Sequence, residues 1–372
     1  MNALENPFVV SGYCGKKYFC DRELESTMIL DALRNQRNVV LSAPRKMGKT
    51  GLIHQVFEMV KSDKNLTTIY LDIFSTQCLA DFVRLFASAV IGKLDTGSQK
   101  AITQIGRLFS GLKPTFGIDT LTGLPQVSVT VTEDQKERSL KDVFEYLKQS
   151  QKECYIAIDE FQQITTYPEK GVEALLRSYI QFLPNVHFIF AGSKQHLLQE
   201  MFCSAKRPFY QSAQIVSISQ INNEIYYKFA QSFFEKRNRT LPKDVFMDLY
   251  EKFDGYTWYL QVILNRLYSV NEDITKEKVG LMISQIITEY TYFYQQMLTT
   301  IPAYYSHLLR AIAEENCVTE ITSGNFITKY RLKAASSVRS ALDKLLLLEL
   351  VYKTDNGYIV YDRFMNEWLK TR

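Results

Sequence analysis

The chain has 372 residues, of which 46% are hydrophobic, 13% aromatic and 23% charged, with a formal net charge of +4. That length points to more than one domain. The apolar content excludes wholesale disorder, and so small a net charge does not by itself mark a nucleic-acid binder. No apolar run approaches the ~18 residues that a spanning helix needs. The first residues, Met1-Asn2-Ala3-Leu4-Glu5-Asn6-Pro7, lack the basic-then-apolar order of a signal peptide, so a cytoplasmic protein with no membrane partner is expected. The six cysteines (Cys14, Cys20, Cys78, Cys154, Cys203, Cys317) are scattered without a C-x-x-C pair. Free thiols are expected rather than a disulfide or a zinc site.

In chain order, Asn6-Pro7-Phe8 leads through Gly12 to Phe19-Cys20-Asp21-Arg22-Glu23, where Arg22 and Glu23 open a first helix. Phe8 and Tyr13 are either core residues or platforms for an adenine ring. Next comes the apolar stretch Val39-Val40-Leu41, then Ala43-Pro44-Arg45-Lys46-Met47-Gly48-Lys49-Thr50-Gly51, then Leu52-Ile53-His54-Gln55-Val56-Phe57. That is strand, tight loop, amphipathic helix. The middle run matches the phosphate-binding loop G-x-x-x-x-G-K-[ST] except that Ala43 replaces the first glycine.

Each part of the loop has a task. Backbone N–H groups from Ala43 to Gly51 curl round phosphates, and the helix N-terminus adds partial positive charge. Lys49 reaches the terminal phosphates, Thr50 ligates Mg²⁺, and Gly48 lets the backbone approach closely. The expected cofactors are ATP and Mg²⁺. Ala43 is compatible with the loop only at negative φ.

Five runs read as buried strands of a parallel sheet: Asn38–Ala43, Thr67–Ile73, Cys154–Ile158, Val186–Ala191 and Gln214–Ile218. With helical patterns between them, this half is α/β. Thr67–Ile73 falls between the loop and the acidic strand, an order that favours phosphate-loop proteins with an extra strand between those two motifs. The segment from about Gly92 to Glu137 reads as an insertion: a helix over Leu94–Leu112, then a β-hairpin turning at Thr122-Gly123. A helix resumes over Ser139–Lys152.

The strand Tyr155-Ile156-Ala157-Ile158 ends in Asp159-Glu160. Asp159 is the candidate second Mg²⁺ partner and Glu160 the general base that polarises water. The insertion accounts for their long separation from Lys49. Phe188-Ile189-Phe190-Ala191-Gly192 carries Ser193 at its tip, with Lys194 a weaker candidate. Ligands of such sheets sit at the carboxyl ends of strands, so Ser193 is either a hydrogen-bond donor to the γ-phosphate or attacking water, or a turn serine. Arg207, in Lys206-Arg207-Pro208, is either an arginine finger or phosphate sensor, or part of a basic surface loop.

Beyond Ile218 the pattern turns helical: Asn222–Arg237, Lys243–Phe253 closed by Gly255, Tyr256–Tyr268 and Thr275–Gln295. The last part runs helix Ala303–Glu315, short helix Ser323–Tyr330 with Ser323 as N-cap, helix Ser336–Leu350, and a hairpin turning at Asp355-Asn356-Gly357, with Asp362–Leu369 as a closing helical turn. That is the order of a winged helix-turn-helix. The expected division is a core over 1–220 with an insertion at about 92–137, a helical module over 221–297 and the winged helix over 298–372.

Taken together, Asn6-Pro7-Phe8, Phe19-x-x-Arg22-Glu23, the loop, Ile158-Asp159-Glu160-Phe161, Ala191-Gly192-Ser193 and Lys206-Arg207-Pro208-Phe209-Tyr210 resemble the archaeal-type ATPases of the AAA+/STAND class of P-loop NTPases. Asp254-Gly255-Tyr256-Thr257-Trp258-Tyr259-Leu260-Gln261 is similar to a family segment that usually carries proline where Thr257-Trp258 stands. The ending Tyr361-Asp362-Arg363-Phe364-Met365-Asn366-Glu367-Trp368-Leu369 resembles Asp-Pro-x-Phe-x-x-Trp, again without the proline. The resemblance implies a P-loop sheet with an AAA+-like lid and a C-terminal winged helix. No arginine occupies the lid's sensor position, Arg266 lying near but later. Switch-type members often lack it, which implies slow hydrolysis and a nucleotide-controlled switch rather than a fast motor.

The helix Ser336–Leu350 is the candidate recognition helix. Arg331, Lys333, Ser336, Ser337, Arg339 and Ser340 near its start and Lys353 on the wing suit phosphate and base-edge contacts, while Asp343, Glu349 and Asp355 dilute the charge. The partner is left open between double-stranded DNA and a protein. A nucleotide-dependent oligomer is also compatible with the pattern. The two functions in view are a slow switch ATPase and a nucleotide-binding recognition module with little or no hydrolysis.

Overall fold

The computed structural model describes residues 4–94, 113–118, 125–150 and 152–371. The expected helix over 94–112 and the hairpin turn at Thr122-Gly123 lie outside them. The chain divides into two compact units, one of Ser11–Asn222 and one of Met1–Val10 with Asn223–Arg372.

In the first unit, α1 (Glu23–Arg34) leads to β1 (Val39–Ser42), α2 (Lys49–Val60), β2 (Leu66–Asp72) and α3 (Leu79–Leu94). The antiparallel pair β3 (Lys113–Ile118) and β4 (Pro125–Thr130) follows, with β4 against α3. Then come α4 (Lys136–Gln149), β5 (Glu153–Asp159), α5 (Val172–Ile180), β6 (Val186–Gly192), α6 (Gln195–Cys203) and β7 (Gln214–Ser217). Five strands form one parallel sheet in the order β2-β5-β6-β1-β7.

The sheet therefore places an extra strand between the phosphate-loop strand and the acidic strand. That strand is β6. The run Thr67–Ile73, which precedes the acidic strand in sequence, forms β2 at the sheet edge. All residues of β1 and β6 are buried, and β5 is buried beyond Glu153, as expected for strands covered on both faces. Beneath the tips of β5 and β6, Phe161, Phe190, Phe202 and Phe209 pack ring on ring, with Phe161 and Phe190 centroids 4.5 Å apart.

In the second unit, α7 (Asn223–Glu235), α8 (Lys243–Lys252), α9 (Thr257–Ser269) and α10 (Lys276–Thr299) precede α11 (Ala303–Glu315), α12 (Gly324–Lys329) and α13 (Ala335–Leu347). Ser323 caps α12 by accepting from the Phe326 N–H at 3.3 Å. The hairpin β8 (Val351–Thr354) and β9 (Gly357–Val360) and α14 (Arg363–Lys370) complete the winged helix. Phe8 belongs to this unit. It is fully buried, with its ring 5.5 Å from Phe234 and 5.6 Å from Tyr268, so it is core and not an adenine platform.

The helical module and the winged helix share one core. Phe364 of α14 packs at 5.3 Å on Phe253 and 5.0 Å on Tyr259. The Tyr259 hydroxyl accepts from the Arg363 N–H at 3.0 Å, and Arg363 pairs with Asp254. Truncating a buried aromatic loses transfer energy and leaves a cavity, about 3–5 kcal/mol. Phe364→Ala is expected to lower the thermal midpoint of this unit by that much stability, while the fully exposed-face change Leu347→Ala leaves it unmoved. Thermal unfolding followed by circular dichroism checks both.

Candidate functional site

β1 ends at Ser42, and the chain turns through Ala43-Pro44-Arg45-Lys46-Met47 into α2. Ala43 does not take positive φ, which removes the objection to a non-glycine there; Lys46 does, at +68°. Gly48 stands just before α2 at φ +89°, a backbone region that side chains rarely enter. Lys49 begins the helix. Its ammonium is buried and donates to the carbonyls of Ala43 at 3.0 Å and Pro44 at 3.2 Å. Burial pulls its pKa below the ordinary lysine value, against the opposing pull of Asp159 and Glu160. Met47 is buried under the loop, and Gly51 lies beside the Phe19 ring.

Parallel pairing brings the acidic strand tip to this loop. The Thr50 hydroxyl donates to Asp159 Oδ2 at 2.8 Å, so the two expected cation partners meet. The same carboxylate oxygen accepts from the Tyr70 hydroxyl at 3.0 Å, and Asp159 Oδ1 accepts from the Glu160 N–H at 3.0 Å. A hydroxyl beside a carboxylate is an all-oxygen donor set, which suits a hard divalent cation such as Mg²⁺. Asp72 sits opposite Asp159 in the strand register, and burial raises its pKa, reinforced by Asp159 and Glu160.

Glu160 has φ +56°, which opens the short turn Phe161–Thr166. Its Oε2 accepts from the Ser193 hydroxyl at 2.9 Å, from the Ser193 N–H at 3.4 Å, and from the Gln162 amide. Arg45 Nε in turn donates to Ser193 Oγ at 3.1 Å. Gly192 is what allows this arrangement. A Cβ there would lie 1.9 Å from Gln162 Oε1.

Lys49, Thr50, Asp159, Glu160, Ser193 and Arg45 are thus brought together. Arg207 is not. Its guanidinium pairs with Glu173 and, at 3.5 Å, with Glu200, and Glu173 is held in place by that pair. The physical reason is local: Glu173 is largely buried on α5 and takes the nearest cation. Arg266, in the other unit, forms a bidentate pair with Glu289 at 2.6 Å.

Tyr70, Asp72 and Gln162 were missed by sequence reasoning. Asp72 had a signal, since β2 ends in an acid as β5 does. Tyr70 and Gln162 had none, because their contacts depend on strand order. Tyr13 does flank the site's helix: its ring lies near Phe19 and His54, and its hydroxyl bonds Gln55 and Glu58.

Residues 19–263 match the family described as an ATPase domain predominantly from Archaea. The chain belongs to that family. Residues 292–371 match a probable winged helix domain. No curated protein matches the sequence. Among solved structures, the archaeal-type ATPase chain is similar to the Walker-type ATPase PABY2304 of Pyrococcus abyssi, with 19% identity, 98% of this chain and 99% of that one covered, and a TM-score of 0.66. It is also similar to the Aeropyrum pernix ORC2 protein in ADPNP–ADP complexes, at 14% identity, 93% and 90% coverage and a TM-score of 0.55. The Aeropyrum pernix ORC1 protein in complex with DNA follows at 13% identity, 98% and 96% coverage and a TM-score of 0.52. At such identities the likeness is one of fold. Membership of an ATPase family implies a nucleotide ligand. No helix among the described residues is long and apolar enough to cross a membrane.

Tyr70 orients the carboxylate that faces Thr50. Tyr70→Phe is therefore expected to weaken Mg²⁺ in the nucleotide complex by roughly tenfold, the usual scale for a residue that orients a metal ligand. Titrating Mg²⁺ against a fluorescent nucleotide measures this. Affinity for the metal-free nucleotide should stay at the wild-type value.

Proposed function

We propose that the chain binds ATP with Mg²⁺ and hydrolyses it slowly, and that its nucleotide state controls a winged helix that contacts DNA or a protein partner. One observation carries the reading: the Thr50–Asp159 hydrogen bond of 2.8 Å joins the phosphate loop to the acidic strand across the intervening β6.

In this reading the loop from Ala43 to Gly51 holds the phosphates through its N–H groups, Pro44 having none, and Lys49 pairs with the terminal ones. Thr50 and Asp159 hold the cation. Mg²⁺, when bound, neutralises charge on the phosphate oxygens. Glu160 takes the proton of the attacking water, and Ser193 orients that water or the γ-phosphate. Three donors converge on Glu160 Oε2 and fix the carboxylate in place, with Oε1 as the oxygen that takes the proton.

The chain passes between the two units twice, after Val10 and after Asn222. The first passage leads to Tyr13, which is bonded to α2, the helix that starts at Lys49. The second follows β7, the neighbour of β1. Both are routes by which phosphate contacts at the loop can bias the second unit, with the lid over 221–297 passing the change to residues 298–372 and to any nucleotide-dependent oligomer. The exposed Arg331, Lys333, Ser336, Arg339, Ser340 and Lys353 are the candidate DNA contacts, and the ORC1 relative was solved with DNA.

Lys49→Ala is expected to abolish ATP binding in calorimetry, with the fold retained by circular dichroism. Glu160→Gln is expected to keep ATP affinity and to lose about 10²–10⁴-fold in phosphate release, the usual share of a general base. Wild-type release no faster than Glu160→Gln would replace the ATPase reading with that of a nucleotide-binding recognition module. Small-angle scattering of apo, ADP and ATP-analogue states tests the switch. Identical profiles in all three would remove it.

A further inference from the structure

We propose that Arg45, from within the phosphate loop, supplies in cis the positive charge that stabilises the transferring γ-phosphoryl group. The inference rests on the hydrolytic reading above and names the residue that a finger from a second protomer would otherwise provide.

The position of Arg45 is set by its partner. Its Nε donates to Ser193 Oγ at 3.1 Å, and Ser193 Oγ donates to Glu160 Oε2 at 2.9 Å. In the hydrolytic reading Glu160 and Ser193 face the attacking water. A guanidinium bonded to Ser193, itself bonded to Glu160, would then stand next to the γ-phosphate that this water attacks. It has five N–H donors in a planar fork, so a bound phosphate oxygen can compete for its Nη groups while Nε stays on Ser193.

A further observation agrees. The other arginine that sequence reasoning offered for this task, Arg207, is bound to Glu173 and Glu200. The chemistry is a single displacement. The water oxygen bonds to the γ-phosphorus as the bond to the β–γ bridging oxygen breaks. The water proton passes to Glu160, and the bridging oxygen leaves on ADP. Arg45 forms no bond to phosphorus; its N–H groups meet charge that grows on the γ-oxygens and the leaving oxygen.

The test uses the full chain with Arg45→Ala and Arg45→Lys. Phosphate release should fall at least roughly a hundredfold in Arg45→Ala, within the range that transition-state arginines contribute. Binding of ADP with aluminium fluoride, a mimic of the transferring group, should be lost in parallel. ADP affinity should hold within roughly threefold, because a contact made only in the transition state leaves ground-state binding alone. Arg45→Lys should restore part of the rate.

The proposal is overturned if Arg45→Ala keeps wild-type turnover and aluminium fluoride binding, or if ADP affinity falls as far as the rate. It is also overturned if mixing Arg45→Ala with Glu160→Gln protein restores activity, since the arginine would then act across protomers. If the wild type shows no turnover, the hydrolytic reading fails separately. Aluminium fluoride binding then decides: equal binding in wild type and Arg45→Ala overturns the role, and selective loss in the variant supports it.

Discussion

Lys49, a residue only 7% exposed, places its ammonium at the carboxyl end of a parallel sheet, where it donates to the carbonyls of Ala43 and Pro44. Moving such a charge out of water costs several kcal/mol unless dipoles and counter-charges replace the lost hydration. The loop does this by turning the carbonyls of Ala43 and Pro44 onto the ammonium. In the proposed function the same wrap also makes the anion cradle. Asp159 and Glu160 add negative charge from the tip of β5, which explains why the acidic tip must stand near the loop despite β6 between them.

What the sequence made legible follows from which forces are local. β1, β5 and β6 are buried on both faces, so each reads as a continuous apolar run ending at a polar tip, and the tips name Lys49, Thr50, Asp159, Glu160 and Ser193. The strand order is not local. It decides that β6 lies between β1 and β5, that Tyr70 of the edge-side neighbour reaches Asp159, and that Gln162 folds back over Gly192. Arg45 was legible as a loop residue but not as the partner of Ser193, because that contact spans 148 positions. Arg207 and Phe8 stayed open between two readings for the converse reason. Each has chemistry that fits a site, and each found a nearer partner: a largely buried glutamate for one, an aromatic core for the other.

The second unit shows a similar division between pattern and packing. Helix periodicity, the Ser323 cap and the two-residue turn before Gly357 made its elements readable one by one. The joint between the helical module and the winged helix was not readable, because it is built from aromatic side chains at positions that look like ordinary core on either side. Phe364, Phe253 and Tyr259 close that joint, and Glu367 of α14 is paired with Lys252 of α8 and, at 2.6 Å, with Lys370. A winged helix held this way moves with the helices it is packed on rather than as a free module on a tether.

Two non-glycine residues of the site stand in the left-handed region, Lys46 at φ +68° and Glu160 at φ +56°. Each such residue costs of order 1–3 kcal/mol and persists only where its surroundings over-determine it. At Glu160 the surroundings are visible. Its N–H is held by Asp159 Oδ1, and the next residue, Phe161, is fully buried among Phe190, Phe202 and Phe209. The aromatic cluster thus fixes the backbone on one side while Ser193 and Gln162 fix the carboxylate on the other. Glycine at 160 would relieve the strain and remove the carboxylate, so the two needs conflict at one position, and the chain keeps the carboxylate. The cost is met by the packing beneath β5 and β6, where Phe161 lies against Phe190, Phe202 and Phe209.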